Sequence, residues 1–109
     1  MDISAHLPLS PRDLLVLAVL AEGPLHGYGI IQAVDERSRS GVLLDPANLY
    51  RSLRRMRRDG WLEEVAGDGD DRRRTFAVTS LGRAVLAGEV ERLERLLRQA
   101  RPALAGEES

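Results

Sequence analysis

Hydrophobic and polar positions follow two periods along this chain, and its elements can be read from where the period changes. Ser10-Pro11-Arg12-Asp13 is a helix start, with a capping serine, proline at the first helical position and an acid at the third. The apolar run Leu14 to Leu20 follows and Gly23-Pro24 stops it, so the pattern predicts a helix over 11–21. Over 26–38, Ile30, Ile31 and Val34 share one side of a second helix, with Gln32, Asp35 and Glu36 opposite and Gly41 as the breaker. Val42-Leu43-Leu44 reads as a brief strand. Asp45-Pro46 caps a third helix over 46–59, closed by Gly60. Trp61 to Val65 and Arg72 to Val78, joined by Gly67-Asp68-Gly69-Asp70-Asp71, predict a hairpin with a polar tip. Thr79 caps a last helix that runs to Arg101, ahead of Pro102.

A length of 109 residues is about one domain's worth, and 43% hydrophobic with 30% charged residues suits a globule with a modest core. The absence of cysteine excludes disulfides, thiolate metal sites and thiol nucleophiles. The apolar run Leu14 to Ala21 is far too short to span a bilayer, and the N-terminus has neither a basic nor an apolar leader region. The expectation is a soluble cytoplasmic protein with no membrane partner.

Charge changes the picture more. Sixteen arginines against seventeen acids give a net −1, yet residues 51–58 hold five arginines and no acid, and 72–74 hold three more. A segregated basic patch matters more to a polyanionic partner than the total does. On the third helix, Leu49, Leu53 and Met56 form the core face. Ala47, Arg51, Arg54 and Arg58 cluster opposite them, flanked by Asn48, Tyr50 and Arg55. A merely solvated face would mix signs to gain pairs one turn apart; this one does not. Arginine is also the side chain best suited to guanine edges and phosphates. The second and third helices then form a helix-turn-helix and the hairpin becomes a wing. Arg72, Arg73 and Arg74 stand where they reach a phosphate or a minor groove, or else pair with Asp68, Asp70 and Asp71 across the hairpin.

Four stretches carry a family resemblance: Leu25-His26-Gly27-Tyr28-Gly29-Ile30, Asp45 to Leu53, Asp59-Gly60-Trp61-Leu62-Glu63, and Arg73 to Arg83 with Thr79 and Gly82. Over about residues 10–100 the sequence resembles the PadR family of bacterial transcriptional regulators, in its short subgroup with a single C-terminal helix. The resemblance implies a winged helix-turn-helix homodimer that represses promoters, with Tyr28 and Tyr50 against the DNA backbone. Family members usually carry Gly-Thr or Gly-Ser where this chain has Ala47-Asn48, and Tyr-Tyr where it has Thr75-Phe76. Asn48 brings an amide able to read adenine. His26 reads as a turn or capping residue, and His6 is its only companion, so no metal site is expected.

The last helix is long. Leu86, Val90, Leu93, Leu97, Ala100 and Leu104 repeat with the spacing of a heptad seam, while Leu81 and Val85 lie around from it. The first turns are therefore expected to pack on their own domain and the seam, Leu86 to Ala100, on a second copy. Glu91–Arg95 and Glu94–Arg98 give support one turn apart on the outside. The expected architecture is mainly α with a small β-hairpin wing (α+β). A winged helix-turn-helix spans 1–79 and a C-terminal dimerisation helix spans 80–105, both in one compact unit.

No nucleophile–base–orienter set is visible, Gly27-Tyr28-Gly29 lacks the third glycine of a dinucleotide site, and Thr79 stands where a calcium loop would need glutamate. The sequence thus points away from an enzyme, without cofactor, and toward a homodimeric repressor on a palindromic double-stranded operator. The rival is a winged-helix module that binds an acidic protein. A small-molecule effector of unknown identity is compatible with either. The resemblance implies a pocket between terminal helices that holds flat drugs on an aromatic residue, but 80–101 contains no aromatic side chain. Planar cationic dyes are therefore expected to bind poorly, which quenching of Trp61 fluorescence would check.

Overall fold

The structure is a computed structural model and describes residues 2–65 and 74–105. Helix α1, Pro11–Ala21, starts where Ser10 Oγ accepts the Asp13 N–H at 3.1 Å. Strand β1 is the pair Leu25–His26, and α2, Gly27–Arg37, follows at once, capped by His26 Nδ1 accepting from the Gly29 N–H at 3.0 Å. Helix α3, Pro46–Arg58, is capped by Asp45, and Gly60 closes it at φ +84° so that the Trp61 N–H reaches the Met56 carbonyl at 2.8 Å. Strands β2, Leu62–Val65, and β3, Thr75–Val78, are antiparallel, and β1 flanks β3 on its other side, giving the order β1-β3-β2. Helix α4 is Ser80–Ala105.

The core joins α1 (Val16, Leu17, Leu20), α2 (Ile30, Val34) and α3 (Leu49, Leu53, Met56) to Trp61, Leu62, Phe76 and Val85. The mainly α fold with a small antiparallel sheet is the one expected, and Trp61 is buried in the body.

Several boundaries differ from the sequence reading. The third helix stops at Arg58 rather than at 59, because Asp59 already serves as its C-cap, and Trp61 and Arg74 lie outside the hairpin strands expected to include them. Val42-Leu43-Leu44 is not a strand: Leu44 enters the core and Leu43 is exposed, while the place beside β3 is taken by Leu25–His26, paired with Phe76 and Thr75. The second helix begins one residue later than expected, because His26 belongs to β1 and caps rather than joins it. Its end is made not by Gly41 but by Arg39 and Ser40, both left-handed (φ 54° and 61°), with the Ser40 N–H bonded back to the Asp35 carbonyl at 2.8 Å. Finally, α4 runs through Pro102 to Ala105. Proline there forfeits one bond to the Arg98 carbonyl, a small loss in an exposed last turn.

The first half of α4 packs on α1 and β3, and Leu86 lies against the core. Past Glu89, to which residues 2–10 still reach, the helix projects, giving a long axis of 61 Å against 33 and 21 Å across. No helix among the described residues is long and apolar enough to cross a membrane.

Residues 2–10 fold back along the body. Ile3 sits over Gly88, the Leu9 N–H donates to Glu89 Oε2 at 2.7 Å, and Trp61 Nε1 donates to His6 Nδ1 at 3.0 Å.

Candidate nucleic-acid interface

With Leu49, Leu53 and Met56 fully buried, the helical period turns Ala47, Arg51, Arg54 and Arg58 outward and leaves Arg57 on the flank beside Leu53, and all five are exposed. Among the described residues no carboxylate lies within 4.0 Å of Arg51, Arg54 or Arg57, and Arg58 has only a loose 3.7 Å pair with Asp59. Four guanidinium groups thus share one surface with little compensation. Arg57 belongs to this surface although the sequence pattern does not single it out. The cue is present, since it lies one turn beyond Arg54 and off the core arc. Arg54, Arg57 and Arg58 line an open cleft whose far wall is Leu62, Glu63 and Glu64 of β2.

Arg55 is placed differently. Its guanidinium pairs with the carboxylate of Asp13 on α1, which is 12% exposed. This bridge fixes α3 against α1, an orientation that groove insertion would need. By sequence Asp13 is simply a first-turn acid; the further signal is that it shares the α1 stripe of Val16, Leu17 and Leu20.

Tyr28 is 65% exposed on α2. Tyr50 is half exposed and leans from α3 onto the start of α2, so closely that a Cβ at Gly27 would lie 2.6 Å from its hydroxyl oxygen. Gly27 lets the two helices approach, and the Tyr50 ring fills that junction.

At the head of α3, Asp45 Oδ1 accepts from the Asn48 N–H at 2.9 Å and Asp45 Oδ2 from Asn48 Nδ2 at 2.5 Å. Asn48 Oδ1 in turn accepts from Arg51 Nη1 at 3.2 Å.

Of the wing residues, Arg74 is exposed and pairs with Glu64 Oε1 at 3.4 Å across the hairpin strands. Arg72 and Arg73, with Asp68, Asp70 and Asp71, lie outside the described residues.

Along α4, Val90 and Leu97 are 42% and 49% exposed, Ala100 is exposed and Leu93 is half-buried, whereas Leu86 is turned to the chain's own core. Leu96 and Leu104 add exposed apolar surface at 51% and 65%. Glu91 pairs with Arg95 at 3.5 Å, and among the described residues no pair within 4.0 Å joins Glu94 to Arg98. The strong pair on this helix is one that the sequence pattern does not single out. Glu89, 1% exposed, takes Arg92 Nε at 2.5 Å and Nη2 at 3.0 Å besides the Leu9 N–H. The Arg92 guanidinium above all holds the Glu89 carboxyl below the usual carboxylate range, against the effect of burial.

Comparison with known proteins identifies a family and a shared fold. The chain matches the transcriptional regulator PadR-like family over residues 16–88. It is 36% identical over 88 residues to transcriptional regulator Rv3488 of Mycobacterium tuberculosis, covering 79% of this chain and 78% of that one. It is 39% identical over 84 residues to an uncharacterized 37.1 kDa protein in transposon Tn4556 of Streptomyces fradiae, covering 77% of this chain but spanning only 23% of that protein. Among solved structures, a transcriptional regulator from Clostridium thermocellum superposes with a TM-score of 0.72 at 22% identity, covering 84% of this chain and 87% of that one. Bacillus subtilis PadR in complex with operator DNA superposes with a TM-score of 0.66 at 18% identity, covering 76% of this chain and 47% of that one. The fold is shared at both levels of likeness, and the match to the mycobacterial regulator extends along most of both chains. The chain belongs to the PadR-like family of transcriptional regulators.

Proposed function

We propose that this regulator is a homodimeric repressor that lays α3 in the major groove of a palindromic operator. One observation carries the reading: the exposed face of α3 bears Arg51, Arg54 and Arg58, with Arg57 on its flank, opposite a fully buried Leu49, Leu53 and Met56. Such a face binds a polyanion of groove width, where arginines read base edges near the helix start and neutralise phosphates further along. Tyr28, Ala47 and Tyr50 complete the proposed contact, and Arg74 extends it toward the wing. Arg55 serves it indirectly, through Asp13.

Gel shift with a duplex of the chain's own upstream region, followed by sequencing of bound fragments, tests the proposal. Arg51→Ala and Arg54→Ala are each expected to weaken binding by roughly 1–3 kcal/mol with the fold retained. Wild-type affinity in both variants, or wild-type binding to acidic protein but not to DNA, contradicts it.

The projecting half of α4 supplies the surface for the second copy. Val90, Leu93, Leu96 and Leu97 are exposed or half-buried along one stretch of this helix, and the chain's own core is roughly 30 Å away from its tip by length alone. Leu97→Glu places an unpaired charge in that interface while leaving the half-exposed site free to fold as monomer. Sedimentation should show a dimer for the wild type and a monomer for the variant, with operator binding lost. A wild-type monomer at micromolar concentration contradicts the dimer.

A further inference from the structure

An asparagine at the head of a recognition helix is ordinarily an adenine reader: its Nδ2 donates to N7 while its Oδ1 accepts from N6. The arrangement around Asn48 opposes that use. Its Nδ2 gives one of its two hydrogens to Asp45 Oδ2 at 2.5 Å and its Oδ1 accepts from Arg51 Nη1 at 3.2 Å, so protein partners on both sides fix the direction of the amide and turn it along the helix toward Asp45 and Arg51. Asp45 is itself fixed, because its Oδ1 caps α3 through the Asn48 N–H. The three side chains stand at successive one-turn intervals, and the relay ends on Arg51, which spends one of its five N–H donors on Asn48. The remaining guanidinium edge faces outward on an exposed residue. A free arginine surrenders considerable rotamer freedom on reaching a base; one already held by a neighbour surrenders less.

We propose that Asp45 and Asn48 are positioning residues that hold Arg51 as a bidentate guanine reader, so that this chain selects a G·C pair where an asparagine at the same place would suggest A·T. The inference rests on the DNA-binding reading above and deepens it. Arg51 is the group that touches the base, donating to guanine O6 and N7. Asn48 fixes its direction without contacting adenine.

Enrichment from a pool of duplexes with a randomised core two to three turns long is the test. Wild type is expected to enrich one G·C pair in each half-site. In that selected duplex, 7-deazaguanine at this position should lower affinity by about tenfold or more, and 7-deazaadenine elsewhere by little. Arg51→Ala should erase the guanine preference. Asp45→Asn keeps a capping oxygen but replaces the acceptor facing Asn48 Nδ2 with a second amide. It should relax the guanine preference severalfold while thermal melting stays close to wild type, and Asn48→Ala should do the same. Selection of an adenine that Asn48→Ala abolishes, or a guanine preference that survives Arg51→Ala, overturns the inference. So does tight binding without any base enrichment, which leaves the DNA-binding reading standing; a pool that is not bound at all overturns that reading and this one with it.

Discussion

Replacing Gly82 by alanine is expected to destabilise the protein severely, although alanine is ordinarily the better helix former by nearly 1 kcal/mol. A Cβ at position 82 would stand 2.2 Å from the Trp61 carbonyl oxygen and 2.7 Å from Val78 Cγ2. The first of these is backbone and is held in place: the Thr79 N–H donates to the same carbonyl at 2.9 Å, and Thr79 Oγ1 both bonds the Gly60 carbonyl at 2.6 Å and accepts the Gly82 N–H at 3.0 Å. Relief would require moving the start of α4 off the end of α3. Overpacking of this kind costs about 3 kcal/mol or more, a large share of a small domain's stability. Gly88 is the control. A Cβ there meets side chains alone, Ile3 Cδ1 at 2.4 Å and Cγ1 at 3.3 Å with Leu7 Cδ1 at 3.6 Å, and no backbone, so Gly88→Ala should cost far less than Gly82→Ala. Urea melts followed by Trp61 fluorescence compare the two; equal midpoints for both variants would contradict this account of the α3–α4 junction.

The second large effect concerns Glu89. Leucine at this site leaves the Leu9 N–H without its acceptor and Arg92 without its partner. The expected loss is about 3 kcal/mol, the lower end for breaking a buried pair, because the Arg92 side chain is 31% exposed and can turn to water. The N-terminal arm should loosen with it, since the Leu9 bond to Glu89 is then gone and the bond of Trp61 to His6 is left to hold the arm. The pH dependence has a definite sign. The folded protein holds the carboxyl below its usual range, chiefly through Arg92, so the contribution is complete above the usual carboxylate range and is lost as pH falls through the depressed folded-state value. The stability gap between wild type and Glu89→Gln should accordingly narrow on acidification; denaturant melts at neutral and acid pH measure it, and a gap that widens toward acid would contradict the assignment.

How much of the fold and of the interface is legible in the sequence depends on how local each signal is. The caps at Ser10, Asp45 and Thr79 and the single-signed face of α3 are encoded within a few residues, and the structure has each in its expected place. The first strand is harder, because pairing depends on a distant partner. Both Leu25-His26 and Val42-Leu43-Leu44 are short and apolar enough, and only the packing of β3 decides between them. Asp13 and Glu89 carry a subtler signal, a carboxylate lying in an apolar stripe, as with Gly82, Val85 and Glu89 on α4. An acid in that position needs a partner, and each has an arginine. That is why Arg55 stands apart from the arginines it adjoins. Leu86 goes the other way: a heptad spacing cannot tell which turn of α4 leaves the body, and that turn lies beyond Leu86.

If the α3 arginine face meets DNA as proposed, the salt dependence of binding to the upstream duplex should reveal it. Arg54 and Arg58 lie beyond the base-reading end of the helix and should neutralise phosphates. Removing them should therefore make the plot of log affinity against log salt shallower, by roughly 0.9 for each phosphate left without its arginine. Fluorescence anisotropy of a labelled upstream duplex, titrated with wild type and with the Arg54→Ala/Arg58→Ala variant across a range of salt, gives both slopes. The account predicts a weaker and distinctly less salt-sensitive variant whose thermal melting matches wild type. Superimposable lines for the two proteins would contradict it.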